Sequence, residues 1–383
     1  MVFENGLSQE ILTARKKKRD DGIRSPYYRD TTAILHCSPF RRLKHKTQVF
    51  FAPSNDHICT RIEHVLHVAS IATAICRGMG LNNDLAWAIG VGHDLGHTPF
   101  GHIGEHIISD LMKENGLGGF EHEINSLRVV DFLSPLNLTY AVRDGIVSHC
   151  GESFVRTLKP DFHVKDLDDI KTKAGLMPST WEGCIVRFSD QIAYMGRDFE
   201  DACRLGIVKE TDVPAECQKL LGAKNGEMIN SLVEDVIASS EKEGVICFSE
   251  DVFDAMKKMI QFNYEKIYRS SMLEGYQKYY GRLIRLIYDY LKKLFDEYGF
   301  DEDKYKSEGN MLSAGFYNYV TEKKQLYLEH DGNYDRLIFD YISGMSDNFC
   351  LDCGIEILKP EHLNWEIESS LTGKWFDAKT LTV

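Results

Sequence analysis

The chain has 383 residues, 43% of them hydrophobic and 27% charged, with ten cysteines, nine prolines and a net charge of −13. Those proportions fit an ordinary globular protein and exclude collagen-like, coiled-coil and disordered classes, while such dilute cysteines exclude a disulfide scaffold. The acidic balance argues against broad nucleic-acid binding driven by phosphate neutralisation. No run approaches the roughly eighteen apolar residues of a spanning helix. Met1 to Arg19 carries no apolar stretch followed by a small-residue cleavage site, so the expected location is the cytoplasm and no membrane partner is expected.

In chain order, Lys16 to Arg19 reads as a solvated helix face, and Arg41, Arg42, Lys44, His45 and Lys46 form a local basic patch. That patch suits either polyphosphate or effector binding or a solvated interface. Apolar residues then recur at helical spacing through Val65, Val68, Ala69, Ala72 and Ile75. Further helical patterns cover Asp84 to Val91, Ile103 to Met112, Ile124 to Phe132, Trp181 to Leu205, Met228 to Ser239 and Phe253 to Leu273. The densest runs from Tyr276 to Phe295, where Tyr276, Tyr279, Tyr280, Tyr288 and Tyr290 read as packing residues. Gly244 to Phe248 is the best alternating stretch and predicts at most a marginal strand. The isolated pair Cys350 and Cys353 reads as structural thiols, and the chain ends in an irregular tail after Lys359. The fold class is therefore all-α, with a soft division near Pro214 into residues 1–213 and 214–383.

The chemistry concentrates before Pro214. His93 and Asp94 are consecutive inside Gly92-His93-Asp94-Leu95-Gly96-His97, and an imidazole beside a carboxylate in an apolar helix end needs a partner, because unpaired polar groups are costly to bury. A divalent cation satisfies both. His64 lies in an apolar helical pattern and Asp190 in another, Arg187 to Tyr194. Two imidazoles and two carboxylates suit Mn, Fe, Co, Ni or Zn and, less comfortably, Mg.

The order His64, then His93-Asp94, then Asp190 resembles that of the HD-domain metal-dependent phosphohydrolases. Longer segments are similar to the deoxyguanosine triphosphate triphosphohydrolase branch of that family. They are Ser38 to Val49, His93 to Glu105, Phe120-Glu121-His122 with Ser126 to Val130, Ile192-Ala193-Tyr194 and Tyr341 to Asp347. The resemblance implies an HD-domain catalytic core in residues 1–213 with a C-terminal helical region packed on it. Residue by residue, it implies metal ligation by His64, His93, Asp94 and Asp190, and a catalytic pair in His102 and Glu105 with His122 beside it. It also implies a phosphate contact from Arg61 and a nucleotide pocket lined by Tyr194 and Asp198. The implied reaction converts a deoxynucleoside triphosphate into the deoxynucleoside and inorganic triphosphate. A homo-oligomer, and a nucleotide or single-stranded DNA as effector, also come from the resemblance. If Ile103 continues a helix, His102 and Glu105 share a face, so the carboxylate can orient the imidazole that moves the proton.

The chain departs from the family pattern at Ala33 and Cys59, where arginines are usual, and at Glu123 and Asn125. These changes bear on substrate preference and assembly. Three rival readings are distinct. His102-Ile103-Gly104-Glu105-His106 satisfies the H-x-x-E-H metalloprotease pattern, but that reading leaves His64, His93, Asp94 and Asp190 unexplained. A phosphodiesterase or an alarmone hydrolase keeps the same ligands and changes the ester. A non-catalytic nucleotide sensor needs the pocket without the acid-base pair. His36, His45, His57, His97 and His149 receive no role from spacing alone.

Overall fold

The computed structural model describes residues 3–51, 55–149, 154–330 and 334–358; the tail after Lys359 lies outside them. The architecture is all-α, as the periodicity predicts, with, among the described residues, one two-stranded antiparallel ribbon pairing Thr157–Leu158 with Ile246–Cys247. That ribbon realises the marginal strand expected at Gly244 to Phe248. Among the described residues no helix is long and apolar enough to cross a membrane.

Three crossing helices position the site. The Arg61–Met79 helix opens on a capping box, with the Thr60 N–H donating to Glu63 Oε2 at 2.8 Å. It stops at Gly80, whose φ of 71° closes the C-terminus in the left-handed region. The Asn83–Gly92 helix starts where the Asn82 side chain accepts from the Leu85 N–H at 3.0 Å. It crosses the first helix so closely that a Cβ on Gly90 would lie 2.6 Å from the Ala69 Cα. Only glycine permits that approach, which carries His93, at the end of the second helix, next to His64 on the first. The Trp181–Arg204 helix packs against both.

Among the described residues the buried apolar side chains gather into two hydrophobic clusters. The first gathers side chains from Phe3 to Ile267, and buried residues after Pro214, such as Cys217, Leu232 and Met256, belong to it. The second is built from the Ser271–Tyr298, Met311–His330, Asp335–Ser343 and Asp347–Ile357 helices. Cys350 and Cys353 are buried free thiols inside it. The Gly101–Glu114 helix feeds Ile108, Leu111 and Met112 into this second cluster while its first turn faces the site. Two acids tie the clusters together. Asp340 accepts a bidentate pair from Arg128, at 3.0 and 2.7 Å, and Asp347 accepts from the Thr47 N–H at 2.7 Å and the Phe100 N–H at 2.9 Å.

Several helix limits differ from the periodicity. The pattern Phe253 to Leu273 splits into Glu250–Asn263, a wide turn at Tyr264–Tyr268 closed by Arg269 N–H to Tyr264 O at 3.2 Å, and a new helix capped at Ser270. Ile124 to Phe132 likewise becomes His122–Arg128 followed by a wide turn closed by Ser134 N–H to Val129 O at 2.8 Å. Lys16 to Arg19 is exposed but not helical. There the backbone is held by the Asn137 side chain, which accepts from the Lys17 N–H at 2.9 Å and donates to the Lys17 carbonyl at 2.9 Å. The tyrosines of the Ser271–Tyr298 helix divide: Tyr280 and Tyr288 are buried, whereas Tyr276 and Tyr279 are exposed.

Candidate metal centre and active site

The four candidate ligands converge. His64 Nε2 lies 2.9 Å from Asp190 Oδ1, His93 Nε2 lies 4.0 Å from the same oxygen, and His93 Nε2 is 3.7 Å from Asp94 Oδ1. His93 is 1% exposed, and its Nδ1 hydrogen-bonds the Gly90 carbonyl at 2.7 Å. A carbonyl only accepts, so Nδ1 carries the proton and Nε2 presents a lone pair. That buried Nε2 has no hydrogen-bond partner among the described residues. A bare, buried imidazole nitrogen facing two carboxylates fits a divalent cation, and the second-sphere clamp on Nδ1 is the one ligating histidines use. His64, His93 and Asp94 offer ligand atoms within 4.8 Å of one another. Burial lowers the pKa of His93, which keeps that lone pair available at neutral pH.

The carboxylates are held ionised. Burial pushes Asp94 up, but Arg61 outweighs it and holds the group well below the usual carboxylate range. For Asp190 burial acts the same way, and the hydrogen bond and charge of His64 bring it down to about 2. Arg61 is 2% exposed and donates through Nη1 to Asp94 Oδ2, through Nε to the Thr47 carbonyl at 3.2 Å and through Nη2 to the Gln48 carbonyl at 3.3 Å. Its charge therefore reaches the site through Asp94, leaving Asp94 Oδ1 to face the histidines.

The second half of the signature forms a hydrogen-bonded His–Glu–His cluster beside this cradle. Glu105 Oε2 is 3.2 Å from His102 Nδ1, and Glu105 Oε1 is 3.0 Å from His122 Nδ1 and 2.9 Å from the His122 backbone N–H. Burial raises Glu105, yet the charge of His122 and hydrogen bonds from both rings hold it far below its ordinary range. An ionised carboxylate is acceptor only, so both histidines donate through Nδ1 and turn Nε2 outward. His122 Nε2 lies 3.9 Å from Asp94 Oδ1, linking this cluster to the cradle, whereas the His102 side chain is 68% exposed. His106 is exposed and, among the described residues, joins no ligand group with His102 and Glu105, so the H-x-x-E-H spacing is not realised as a metal site.

Glycines and one strained residue shape the loop between the halves. A Cβ on Gly96 would sit 2.1 Å from the Ser126 N, and one on Gly104 would sit 1.8 Å from the Pro99 O. Larger residues would push the His122–Arg128 helix and the Pro99 turn apart. Phe100 adopts φ of 60° and stacks on Tyr280 with ring centroids 4.0 Å apart, so the second cluster stabilises the kink from which His102 projects. Lys46 braces the same loop from a segment about fifty residues earlier in the chain. It is buried rather than part of a solvated basic patch, donating to the His97 carbonyl and, at 2.8 Å, to the Ser343 carbonyl, and burial lowers its pKa to about 7. Arg41, Arg42, Lys44 and His45 remain exposed.

Tyr194 stands half-buried one turn beyond Asp190 on the Trp181–Arg204 helix. Asp198, one further turn along, is buried and accepts from the Tyr268 hydroxyl at 2.5 Å; burial raises its pKa to about 7. Tyr268 comes from the wide turn that periodicity did not reveal. Two histidines given no role by spacing also sit here. His97 is fully buried and stacks on His122 with centroids 4.6 Å apart. His149 is 1% exposed, 4.7 Å centroid to centroid from His93, and burial lowers its pKa to about 4. The departures from the family pattern are accommodated locally, and Glu123 adds a buried carboxylate 3.5 Å from His122 Nδ1. Cys59 is buried with its N–H donating to Asp201 at 2.9 Å, Asn125 donates to the Gly96 carbonyl at 2.7 Å, and fully buried Glu123 pairs with Lys173 at 3.0 Å.

Comparison with known proteins agrees with this geometry. Residues 61–195 match the HD domain and residues 246–354 match the phosphohydrolase-associated domain. A relative from Caldanaerobacter subterraneus subsp. tengcongensis is 36% identical over 353 residues, covering 91% of this chain and 88% of its own. One from Desulfatibacillum aliphaticivorans is 36% identical, with 86% of each chain covered, and one from Clostridium tetani is 35% identical, covering 91% of this chain and 90% of its own. All three are named deoxyguanosinetriphosphate triphosphohydrolase-like protein. Likeness of that extent, over a His/Asp cradle that could hold a divalent cation, places the chain in the deoxyguanosinetriphosphate triphosphohydrolase-like family of HD-domain, metal-dependent phosphohydrolases.

Proposed function

We propose that this phosphohydrolase cleaves deoxynucleoside triphosphates to the deoxynucleoside and inorganic triphosphate in one step. The observation that carries the reading is Glu105, clamped between His102 and His122 immediately beside the cation cradle. Binding alone does not require such a pair, which weighs against a sensor. A divalent ion held by His64, His93, Asp94 and Asp190 supplies positive charge against phosphate oxygens where negative charge grows. Arg61 fixes Asp94 for that task. His102, oriented through Nδ1 by Glu105, turns Nε2 toward solvent, where it can pass a proton to the departing 5′ oxygen. Tyr194 and Asp198 line the sugar and base side in this proposal. The ion, on this reading, is Mn, Mg, Co, Fe, Ni or Zn. The cytoplasm, a homo-oligomer and control by a nucleotide or single-stranded DNA belong to the same reading.

Product analysis tests it. Purified protein is incubated with each deoxynucleoside triphosphate plus Mn, Mg or Co, and products are separated by chromatography. Nucleoside and intact triphosphate are expected in equal amounts. Monophosphate with pyrophosphate, stepwise release of orthophosphate, or cleavage only of cyclic dinucleotides or guanosine tetraphosphate would overturn the reaction proposed.

A further inference from the structure

We propose that a cavity on the seam between the two hydrophobic clusters binds a small organic oxyanion, with a carboxylate or phosphate head on a flat apolar body and Arg42 as the anchor. The cavity has a volume of about 520 Å³, within the range of small-molecule sites. Leu95, Val129 and Leu133 of the first cluster line it together with Met345 and Phe349, which belong to or pack on the second. None of His64, His93, Asp94 and Asp190 lines it, so it is distinct from the metal cradle.

Arg42 ends the short Ser38–Arg42 helix and reaches across the seam to Gly344, where a Cβ would come within 3.7 Å of its Nη2. Its side chain makes no hydrogen bond or ion pair among the described residues. The side chain is exposed to the cavity, yet the walls desolvate it enough to lower its pKa. The groups acting on it are Tyr319, Cys37 and the cationic Arg41, so no carboxylate offsets its charge. The other charged side chains of the lining are already matched. Asp340 accepts from Arg128 at 3.0 and 2.7 Å and from the Tyr327 hydroxyl. Lys323 lies 2.8 Å from Glu322 and donates to the Leu133 carbonyl at 2.8 Å. The lining thus carries one uncompensated positive charge, on the side chain whose planar fork takes carboxylate or phosphate through two parallel hydrogen bonds.

A second group in the wall is short of a partner. Asn125 is 2% exposed, its Nδ2 donates to the Gly96 carbonyl at 2.7 Å, and its Oδ1 accepts from no group among the described residues. A buried acceptor without a donor is costly, so an N–H on the body of the occupant complements this wall. Tyr319 and Tyr341 add aromatic surface for a flat ring. Because Gly96 belongs to the loop that follows His93 and Asp94, Asn125 joins this cavity to the metal loop.

Isothermal titration of the purified protein with 4-aminobenzoate, 4-aminophenyl phosphate, aniline and inorganic phosphate tests the proposal. At least one of the two headed aromatic probes is expected to bind with a Kd of about 1 mM or tighter. Aniline and inorganic phosphate, each lacking half of the ligand, should bind at least about 10-fold more weakly than that probe. The tighter of the two headed probes identifies the head as carboxylate or phosphate. Arg42→Gln is expected to weaken it at least about 10-fold, and Arg42→Lys by less, because lysine keeps the charge without the fork. Having no partner to lose, Arg42→Gln should unfold at the same urea midpoint as wild type. Failure of both headed probes to bind would overturn the proposal. So would equal binding of the tighter probe to Arg42→Gln, which would place it at the metal centre. A lowered urea midpoint in Arg42→Gln would also overturn it, by making Arg42 a structural brace.

Discussion

His93 and His102 lie nine residues apart in one signature, yet the fold treats them in opposite ways. His93 is buried, clamped through Nδ1 by a carbonyl and left with a bare Nε2 among carboxylates; His102 stands in solvent with Nδ1 held by Glu105. The side chain is the same, so the difference comes from what surrounds it. A desolvated, neutral imidazole with a bare nitrogen suits a cation, whereas a solvated imidazole anchored to a carboxylate presents its second nitrogen to whatever enters from solvent.

Breaking the buried half carries the largest effect. Asp94→Ala removes a cradle oxygen and leaves the Arg61 guanidinium buried without its anion. Activity is expected to fall at least about 1,000-fold, equivalent to several kcal/mol of transition-state stabilisation. Purified protein should lose its tightly bound metal, and urea unfolding should register a loss of about 3 to 5 kcal/mol from the orphaned charge. Retention of metal at full stoichiometry would show that Asp94 serves Arg61 alone.

Breaking the exposed half should hurt rate and nothing else. His102→Ala is expected to lower kcat by about 100- to 10,000-fold, with metal content unchanged and stability within about 0.5 kcal/mol because the side chain is solvated. Adding Glu105→Gln to that variant should cost little more, since residues acting as a unit are not additive. A fall in metal content in His102→Ala would erase the contrast with His93.

The two halves were also legible in the sequence to different degrees. His64, His93, Asp94 and Asp190 stood out because each puts a polar ligand into an apolar helical pattern, and the order of the four is distinctive. His149 did not. It follows the Tyr140–Val147 helix, every residue of which is buried, so no polar face marks the period. That helix starts at Thr139, whose N–H and hydroxyl bond Asp30 at 2.8 and 2.7 Å, a cap supplied from 109 residues away. Lys46 read as part of a surface charge run, because nothing local announces that carbonyls of His97 and Ser343 enclose it. Tyr268 was hidden by the wide turn at Tyr264–Tyr268, which interrupts an apolar period without a glycine or proline to signal it. Local patterns record what a residue needs; they do not record which distant groups supply it.

The smallest effect concerns the far end of the site, where Asp198 is buried like Asp94 but has a hydroxyl for a partner instead of a guanidinium. Burial therefore wins, and its pKa stands at about 7, above the value of about 3.9 for an unfolded aspartate. Between these values the folded protein binds a proton that the unfolded chain has released. Stability from this group is then greatest at low pH and falls as pH rises toward 7, the reverse of the depressed carboxylates Asp94 and Asp190. Asp198→Asn removes that dependence while keeping an acceptor for the Tyr268 hydroxyl. The expected result, from urea unfolding at about pH 5 and pH 7, is that wild type loses about 2 kcal/mol relative to the variant over the interval. Parallel behaviour of the two proteins would place the Asp198 carboxyl in its ordinary range and make the Tyr268 hydrogen bond, not burial, the stronger influence on it.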